Sequence, residues 1–325
     1  MNKRKAYFRA DASSEIGYGH FIRSLALADM LKDDFDCTFF TQSPTGYQQK
    51  EVAKVCKLVS LPADDSRFKL FLDKISGDEI VILDNYFFTT DYQQRIKEKG
   101  CKLVCIDDMH DKHFVADAVI NHSLGIKNSD YSKEEYTQLY LGLEYVLLRL
   151  PFIEACKNTI SRKKKDRIKV FVSFGGADKY GIAESISSEL NKLDAIEKIF
   201  LVSPHNSNIV FGEKISRLSS LSAEQMKEFL SHCDLAIIPS STIMKEAIAC
   251  GIDIIGGYFI NNQINSYHQF CNINAIIGFG NLSEINNQKL LINFIKEKKY
   301  YNLTLRKNLI PPNLVNNIIN IFRKL

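Results

Sequence analysis

Short apolar runs rich in valine, isoleucine and phenylalanine alternate with segments of helical periodicity along most of the chain, the signature of βα units and parallel sheets. In the first half these runs predict strands near Ala6 to Ala10, Cys37 to Thr41, Lys57 to Leu61, Glu79 to Leu83, Lys102 to Ile106 and Ala118 to Asn121. Helices are predicted near 20 to 32, 68 to 76 and 90 to 99, the first with Phe21, Leu25, Ala28 and Leu31 on one face. The second half repeats the plan. Its strands are predicted near Lys169 to Ser173, Lys198 to Val202, Leu235 to Ile238, Ile254 to Tyr258 and Ala275 to Ile277, and its helices near 180 to 192, 223 to 231, 242 to 250 and 263 to 271.

Between Asn158 and Lys169 the pattern breaks into the basic run Arg162-Lys163-Lys164-Lys165-Asp166-Arg167, which reads as a solvated linker at a domain boundary. The expected fold class is therefore α/β, with two Rossmann-like doubly wound domains, residues 1–160 and 161–325, facing each other across a cleft. Function is then expected in the loops after strands. The last segment, from Pro311-Pro312 to Leu325, reads as a proline-started amphipathic helix with Leu314, Ile318 and Phe322 four apart. It is expected to return to the first domain.

Composition narrows the picture. A chain of 325 residues with 45% hydrophobic residues has room for large cores and favours two domains. Its 42 Lys and Arg against 38 Asp and Glu leave a dispersed excess of only +4, which suits a small anionic ligand and points away from nucleic acid. The basic start, Met1-Asn2-Lys3-Arg4-Lys5, is followed by a strand and a charged helix, so neither a signal peptide nor a membrane span is expected, and the location expected is cytoplasmic. The eight cysteines, at 37, 56, 101, 105, 156, 233, 250 and 271, form no C-x-x-C and read as reduced core residues.

The candidate chemistry lies where strands give way to helices. After the first strand, Gly17 and Gly19 allow positive φ and close backbone approach, and a helix opens on His20, so an anion could be held there beside an imidazole. Asp84-Asn85-Tyr86 follows the strand ending at Leu83 and puts a carboxylate and a phenol at a carboxyl end. The crowded run Asp107-Asp108-Met109-His110-Asp111-Lys112-His113 resembles a metal site, but Lys112 opposes a cation, and aspartates held by amides and hydroxyls are expected instead. In the second domain the Gly175-Gly176 turn admits a ligand close to the backbone. Ser241 or Thr242 can cap a helix whose amides face a diphosphate, and Glu246, one turn on, can accept from ribose hydroxyls. Asn261-Asn262-Gln263 offers neutral amides to a sugar. Each stretch also has a plain reading as a tight turn, an interface tyrosine or a simple helix cap. P-loop phosphoryl transfer and Rossmann dinucleotide chemistry are disfavoured, because neither glycine motif is matched. Asp34-Phe35-Asp36, the one D-x-D run, precedes a strand and so lies at the wrong end of a sheet for a metal.

Taken in order, several of these pieces resemble one family, the UDP-sugar hydrolases of pseudaminic acid biosynthesis. They are Arg9-Ala10-Asp11 through Gly17-Tyr18-Gly19-His20-Phe21-Ile22-Arg23, Asp84-Asn85-Tyr86, Ile106-Asp107-Asp108, Asn121, Leu148-Arg149, Ser173 through Asp178, Glu246 and Asn262-Gln263, spread over about residues 6 to 280. The resemblance implies a GT-B-like fold, a UDP-2,4-diacetamido-2,4,6-trideoxy-β-L-altropyranose substrate, transfer of the sugar to water, and no metal or other cofactor. Other enzymes of the same sugar pathway are the implied partners. By carry-over His20 would be the general base, Tyr86 and Asn262 its active-site partners, and Glu246 the ribose ligand. Arg9, Asp11, Gly17, Gly19, Asp84, Gly175, Gly176, Ser241, Thr242 and Gln263 would complete the substrate-binding set. Where many members carry a glycine pair before the UDP-binding serine or threonine, this chain has Pro239-Ser240-Ser241, and the region after Asn281 matches no part of the pattern. The rival expectations are a GT-B glycosyltransferase with a UDP-sugar donor and a non-catalytic nucleotide-sugar binding module.

Overall fold

The computed structural model of the chain describes residues 3–13, 17–157, 165–175, 178, 180–203, 212–219, 221–302, 305 and 309–325. It forms two compact units, Met1–Leu150 with Pro311–Leu325, and Pro151–Ile310. The first runs β1 (Lys5–Ala10), α1 (Gly19–Leu31), β2 (Asp36–Gln42), α2 (Gly46–Ala53), β3 (Lys57–Leu61), α3 (Ser66–Leu72), β4 (Ile80–Asp84), α4 (Thr90–Glu98) and β5 (Lys102–Ile106). It continues through β6 (His113–Phe114), β7 (Ala118–Asn121), β8 (Ser132–Lys133) and β9 (Gln138–Leu141). Next come α5 (Leu150–Ala155), β10 (Ile168–Ser173), α6 (Ile182–Leu190), β11 (Ile196–Val202), β12 (Ile215–Leu218), α7 (Ala223–His232), β13 (Leu235–Pro239) and α8 (Thr242–Ala249). The second unit closes with β14 (Asp253–Tyr258), α9 (Ile264–Asn272), β15 (Ile277–Asn281) and α10 (Ile285–Lys296), before α11 (Leu314–Arg323) rejoins the first.

Beside a two-stranded β6-β8 ribbon, the two large sheets are parallel and share one plan. Their orders are β3-β2-β1-β4-β5-β7-β9 and β12-β11-β10-β13-β14-β15, so each starts in the middle, winds one way, then reverses. This is the doubly wound Rossmann arrangement. Its central strands are covered by helices on both faces, which explains why β4, Ile80-Val81-Ile82-Leu83-Asp84, and β13, Leu235-Ala236-Ile237-Ile238-Pro239, are buried at every position. In such a sheet ligands bind beyond the carboxyl ends at the strand where the winding reverses. Those points are β1 beside β4 in one unit and β10 beside β13 in the other.

Several elements depart from the sequence expectation. α2 is short and largely polar, buries only Gln48 and Val52, and is fixed by a Thr45–Gln48 capping box. The edge strands β9 and β12 are half-buried, and their apolar signal is correspondingly weak. β15 starts at Ile277, where a strand was expected over Ala275 to Ile277; a Cβ at Gly278 would stand 2.5 Å from Tyr267 Oη and Cys271 Sγ. α11 starts at Leu314 rather than on the prolines. It sets Phe322 against Phe35, with ring centroids 6.1 Å apart, and Arg323 on Asp34 at 2.7 Å. Of the expected linker, Arg162-Lys163-Lys164 lies outside the described residues, while Lys165 is tied to Asp234 at 2.7 Å. All eight cysteines lie among the described residues and none is in a disulfide, and burial pushes the Cys37 and Cys56 thiols up to about 12. Among the described residues no helix is long and apolar enough to cross a membrane.

Candidate active site

At the reversal point of the first sheet, α1 carries His20, Arg23 and Ser24 at i, i+3 and i+4, one face of one turn. All three reach Asp84, the last residue of β4. Arg23 grips the carboxylate as a fork, Nε donating to Oδ2 at 2.7 Å and Nη2 to Oδ1 at 2.6 Å, while Ser24 Oγ donates to Oδ2 at 2.9 Å. His20 Nδ1 lies 2.7 Å from Asp84 Oδ1 and 3.0 Å from Arg23 Nη2. The shorter of these contacts is to a carboxylate, which only accepts, while Arg23 Nη2 has its own shorter bond to Asp84 Oδ1 at 2.6 Å; the arrangement therefore favours the proton on Nδ1, pointing to Asp84, with Nε2 as the ring's acceptor. Burial works to raise the Asp84 carboxyl, but the Arg23 and His20 contacts outweigh it and hold it below the usual carboxylate range. Arg23 extends to the next loop, where Nη1 donates to Asp108 Oδ2 at 2.7 Å.

Tyr86 completes this corner. Its ring meets His20 edge-on with centroids 4.6 Å apart, it is 40% exposed, and its carbonyl accepts from Lys112 Nζ at 2.9 Å. His20, Asp84 and Tyr86 are therefore brought together. Of the two glycines before His20, Gly17 takes the left-handed backbone (φ +80) and bonds back to the Ser13 carbonyl at 2.8 Å, whereas Gly19 is the first residue of α1.

Arg9 and Asp11 behave differently, being 0% exposed and paired with each other. Asp11 Oδ1 also accepts from Gln42 N–H at 2.8 Å, and its backbone is clasped by Asn85. They buttress the loop after β1. In the loop after β5, Asp107 accepts from His110 N–H at 2.8 Å and from Tyr131 Oη at 2.9 Å, the amide and hydroxyl expected there. Burial raises its carboxyl. Asp108 meets Arg23 and His113 meets Ser132 and Glu134, so these acids and imidazoles do not converge on one point.

In the second unit the glycine turn after β10 keeps Gly175 at φ +73 with open space where a Cβ would stand, and Gly176 lies outside the described residues. The first amides of the helix behind it, α6, are already taken by a carboxylate from the preceding turn: Asp178 accepts from Ile182 and Ala183 N–H, both at 3.0 Å. The turn after β13 is built otherwise. Ser241 is the N-cap of α8 but its side chain makes no cap hydrogen bond, Thr242 is half-buried as the first helical residue, and Ser240 Oγ is buried without a hydrogen-bond partner among the described residues. A helix start with an unused buried hydroxyl at its foot suits an anion. Glu246, one turn on, is buried. After β14, Asn262 is exposed, whereas the Gln263 side chain is spent inside the loop, its Oε1 accepting from Phe259 N–H at 3.1 Å. Sequence reasoning gave no role to Arg23 or Asn85, and it expected Asp108 on amides or hydroxyls where the structure sets it on the Arg23 guanidinium. The helical spacing of Arg23 from His20 was the one available signal.

No family model matches the chain. In sequence it is 26% identical over 273 residues to the UDP-2,4-diacetamido-2,4,6-trideoxy-β-L-altropyranose hydrolase of Campylobacter jejuni, covering 80% of this chain and 93% of that one. It is 27% identical over 284 residues to the uncharacterized protein MJ1062 of Methanocaldococcus jannaschii, of which the match spans 57%, and 24% identical over 282 residues to the spore coat polysaccharide biosynthesis protein SpsG of Bacillus subtilis, covering 83% of this chain and 82% of that one. In fold it is similar to MurG of Acinetobacter baumannii, with a TM-score of 0.61 at 11% identity over 99% of this chain and 100% of that one. It is likewise similar to the UDP co-structure of MnaA from S. aureus, with a TM-score of 0.66 at 10% identity over 100% of this chain and 96% of that one. The fold is thus GT-B-like, and the chain is similar over 80% of its length to a hydrolase of the kind its motifs resemble.

Proposed function

We propose that this protein hydrolyses a UDP-linked diacetamido-trideoxy sugar at the anomeric carbon, releasing UDP and the free sugar, as a step of nonulosonic (pseudaminic) acid biosynthesis. The observation that carries the reading is the 2.7 Å contact of His20 Nδ1 with Asp84, which leaves Nε2 as a base beside an exposed tyrosine. Nε2 takes a proton from water as the oxygen attacks the anomeric carbon. The bond from that carbon to the diphosphate breaks, and its electron pair leaves with UDP. A positioned base supplies about 10²- to 10⁴-fold, and preorganised donors facing the departing charge supply comparable help. The turn at Ser240, Ser241 and Thr242 is the donor set for the diphosphate in this reading, with Glu246 on the ribose and Asn262 on the sugar. This reading assigns no step to a metal, so EDTA is expected to leave turnover unchanged.

The similarity to the hydrolase named above supports water as acceptor, while the GT-B-like fold admits transfer to another hydroxyl. One experiment separates the two: UDP release from a panel of UDP-amino sugars in ¹⁸O water, with and without acceptor. Labelled free sugar formed without acceptor is the expected result. Strict acceptor dependence would replace hydrolysis by transfer, and tight UDP binding with no product would leave a binding module.

A further inference from the structure

The imidazole of His20 is not held by Asp84 alone, because the carboxylate is itself gripped on both oxygens by Arg23. That guanidinium spans two loops, reaching Asp108 beyond β5 with its remaining arm at 2.7 Å. Four side chains from α1, the end of β4 and the loop after β5 therefore form one continuous ion-paired unit, with the buried imidazole at one end and the partly exposed Asp108 at the other.

We propose that Arg23 is a positioning residue for His20, acting through Asp84, and that Asp108 is the post that keeps Arg23 in place. This rests on the reading of His20 as general base. The physical argument is geometric. A carboxylate with one free rotation would present either oxygen to the ring, whereas a forked arginine fixes its plane, and Ser24 fills the remaining acceptor site on Oδ2. Oδ1 then has one direction left for His20, which sets both the ring's orientation and which nitrogen carries the proton. Asp108 anchors the guanidinium from the opposite side, so the fork cannot swing off Asp84. The groups facing Asp84 are Arg23, His20 and Ser24 from α1 and the neutral Cys105 thiol from β5, with Tyr86 beyond the ring. Arg23 is the one permanent cation among them.

The test separates charge from geometry and does not depend on turnover alone. Carboxyl ¹³C NMR follows the titration of Asp84 in the free protein, its signal assigned by its loss in Asp84→Asn. In Arg23→Gln burial acts on the carboxyl without its main opposing cation, so the midpoint moves up by about one to three pH units. In Arg23→Lys the charge remains but the fork does not, so the midpoint stays near that of the unaltered protein while UDP release falls. Asp108→Asn leaves the midpoint from rising and also slows UDP release. An Asp84 midpoint unmoved in Arg23→Gln, or full turnover in Arg23→Lys, overturns the proposal. Absence of UDP release from the unaltered protein would instead remove the hydrolase reading and leave the Asp84 titration standing.

Discussion

Asn85 clasps Asp11 by both polar groups of its backbone: Oδ1 accepts from the Asp11 N–H at 2.7 Å, and Nδ2 donates to the Asp11 carbonyl at 3.3 Å. One side chain thereby joins the loop after β1 to the loop after β4, the two loops between which His20 and Tyr86 meet. Asn85→Ala leaves a buried donor and a buried acceptor without partners, at roughly 1–3 kcal/mol for each group. The expected outcome is a lower urea midpoint with an unchanged slope, together with slower turnover. A midpoint equal to that of the unaltered protein would show that water replaces the clasp.

His20→Ala should lower kcat by roughly two to four orders of magnitude while UDP affinity, read by calorimetry, stays within a few-fold. Asp84→Asn should lose a comparable factor for a different reason, because a carboxamide can offer its NH₂ to Nδ1 and turn the ring's proton onto the wrong nitrogen. Near-normal turnover in the alanine variant would end the assignment of the base.

Acid sensitivity is expected at the opposite end of β4. Burial works against the Glu79 charge, but Ser76 N–H at 2.9 Å, Ser76 Oγ at 2.8 Å and Gly77 N–H at 3.0 Å hold its carboxyl down to about 2. Glycine is required beside it, because a Cβ at Gly77 would stand 2.4 Å from the Lys99 carbonyl. A carboxylate depressed in the folded state stabilises fully above its unfolded value of 4.5, and that contribution drains away as pH falls from there to about 2. It is worth roughly 3 kcal/mol at neutral pH. Glu79→Gln should therefore be less stable at pH 7 and show a flatter loss of stability between pH 4.5 and 2, read by urea unfolding at each pH. Equal acid sensitivity in the variant would assign the effect to other carboxylates.

What was legible in the chain follows burial. β5 and β7 run over the residues that their apolar runs predict, because a strand covered on both faces carries a continuous signal; β3 also matches its prediction, although it is an edge strand in which only Leu61 is buried. α2 and the edge strands β9 and β12 carry little of it, since most of their positions face outward or are only half-covered. The same holds at the candidate site. Glycine turns and a histidine opening a helix announce themselves locally, so His20 and the Ser241 turn stand out as candidates from sequence alone. Which carboxylate meets which cation is decided by neighbouring strands, far apart in sequence. The Arg23 fork on Asp84 and its reach to Asp108, 61 and 85 residues away, were therefore not readable, while Arg9 and Asp11, read as ligand groups, pair with each other and Gln263, read as a sugar contact, accepts from Phe259 N–H.

The Ser240 hydroxyl offers the sharpest separation of stability from binding. It is buried beneath the start of α8 and has no hydrogen-bond partner among the described residues, so the free protein carries its desolvation without return. Removing it should leave the urea midpoint unchanged or slightly higher. If the hydroxyl serves the diphosphate, the same change removes a hydrogen bond to a charged group, worth about 1.5–3 kcal/mol, or roughly ten- to a hundredfold in UDP affinity. Thr242→Pro tests the neighbouring amide in the same way. Proline is tolerated at the first helical position and the preceding Ser241 is already extended (φ −123, ψ −162), so the helix survives while one N–H is lost. Calorimetry with UDP should show both variants weakened and their folding intact. Unchanged affinity in both would move the diphosphate away from α8.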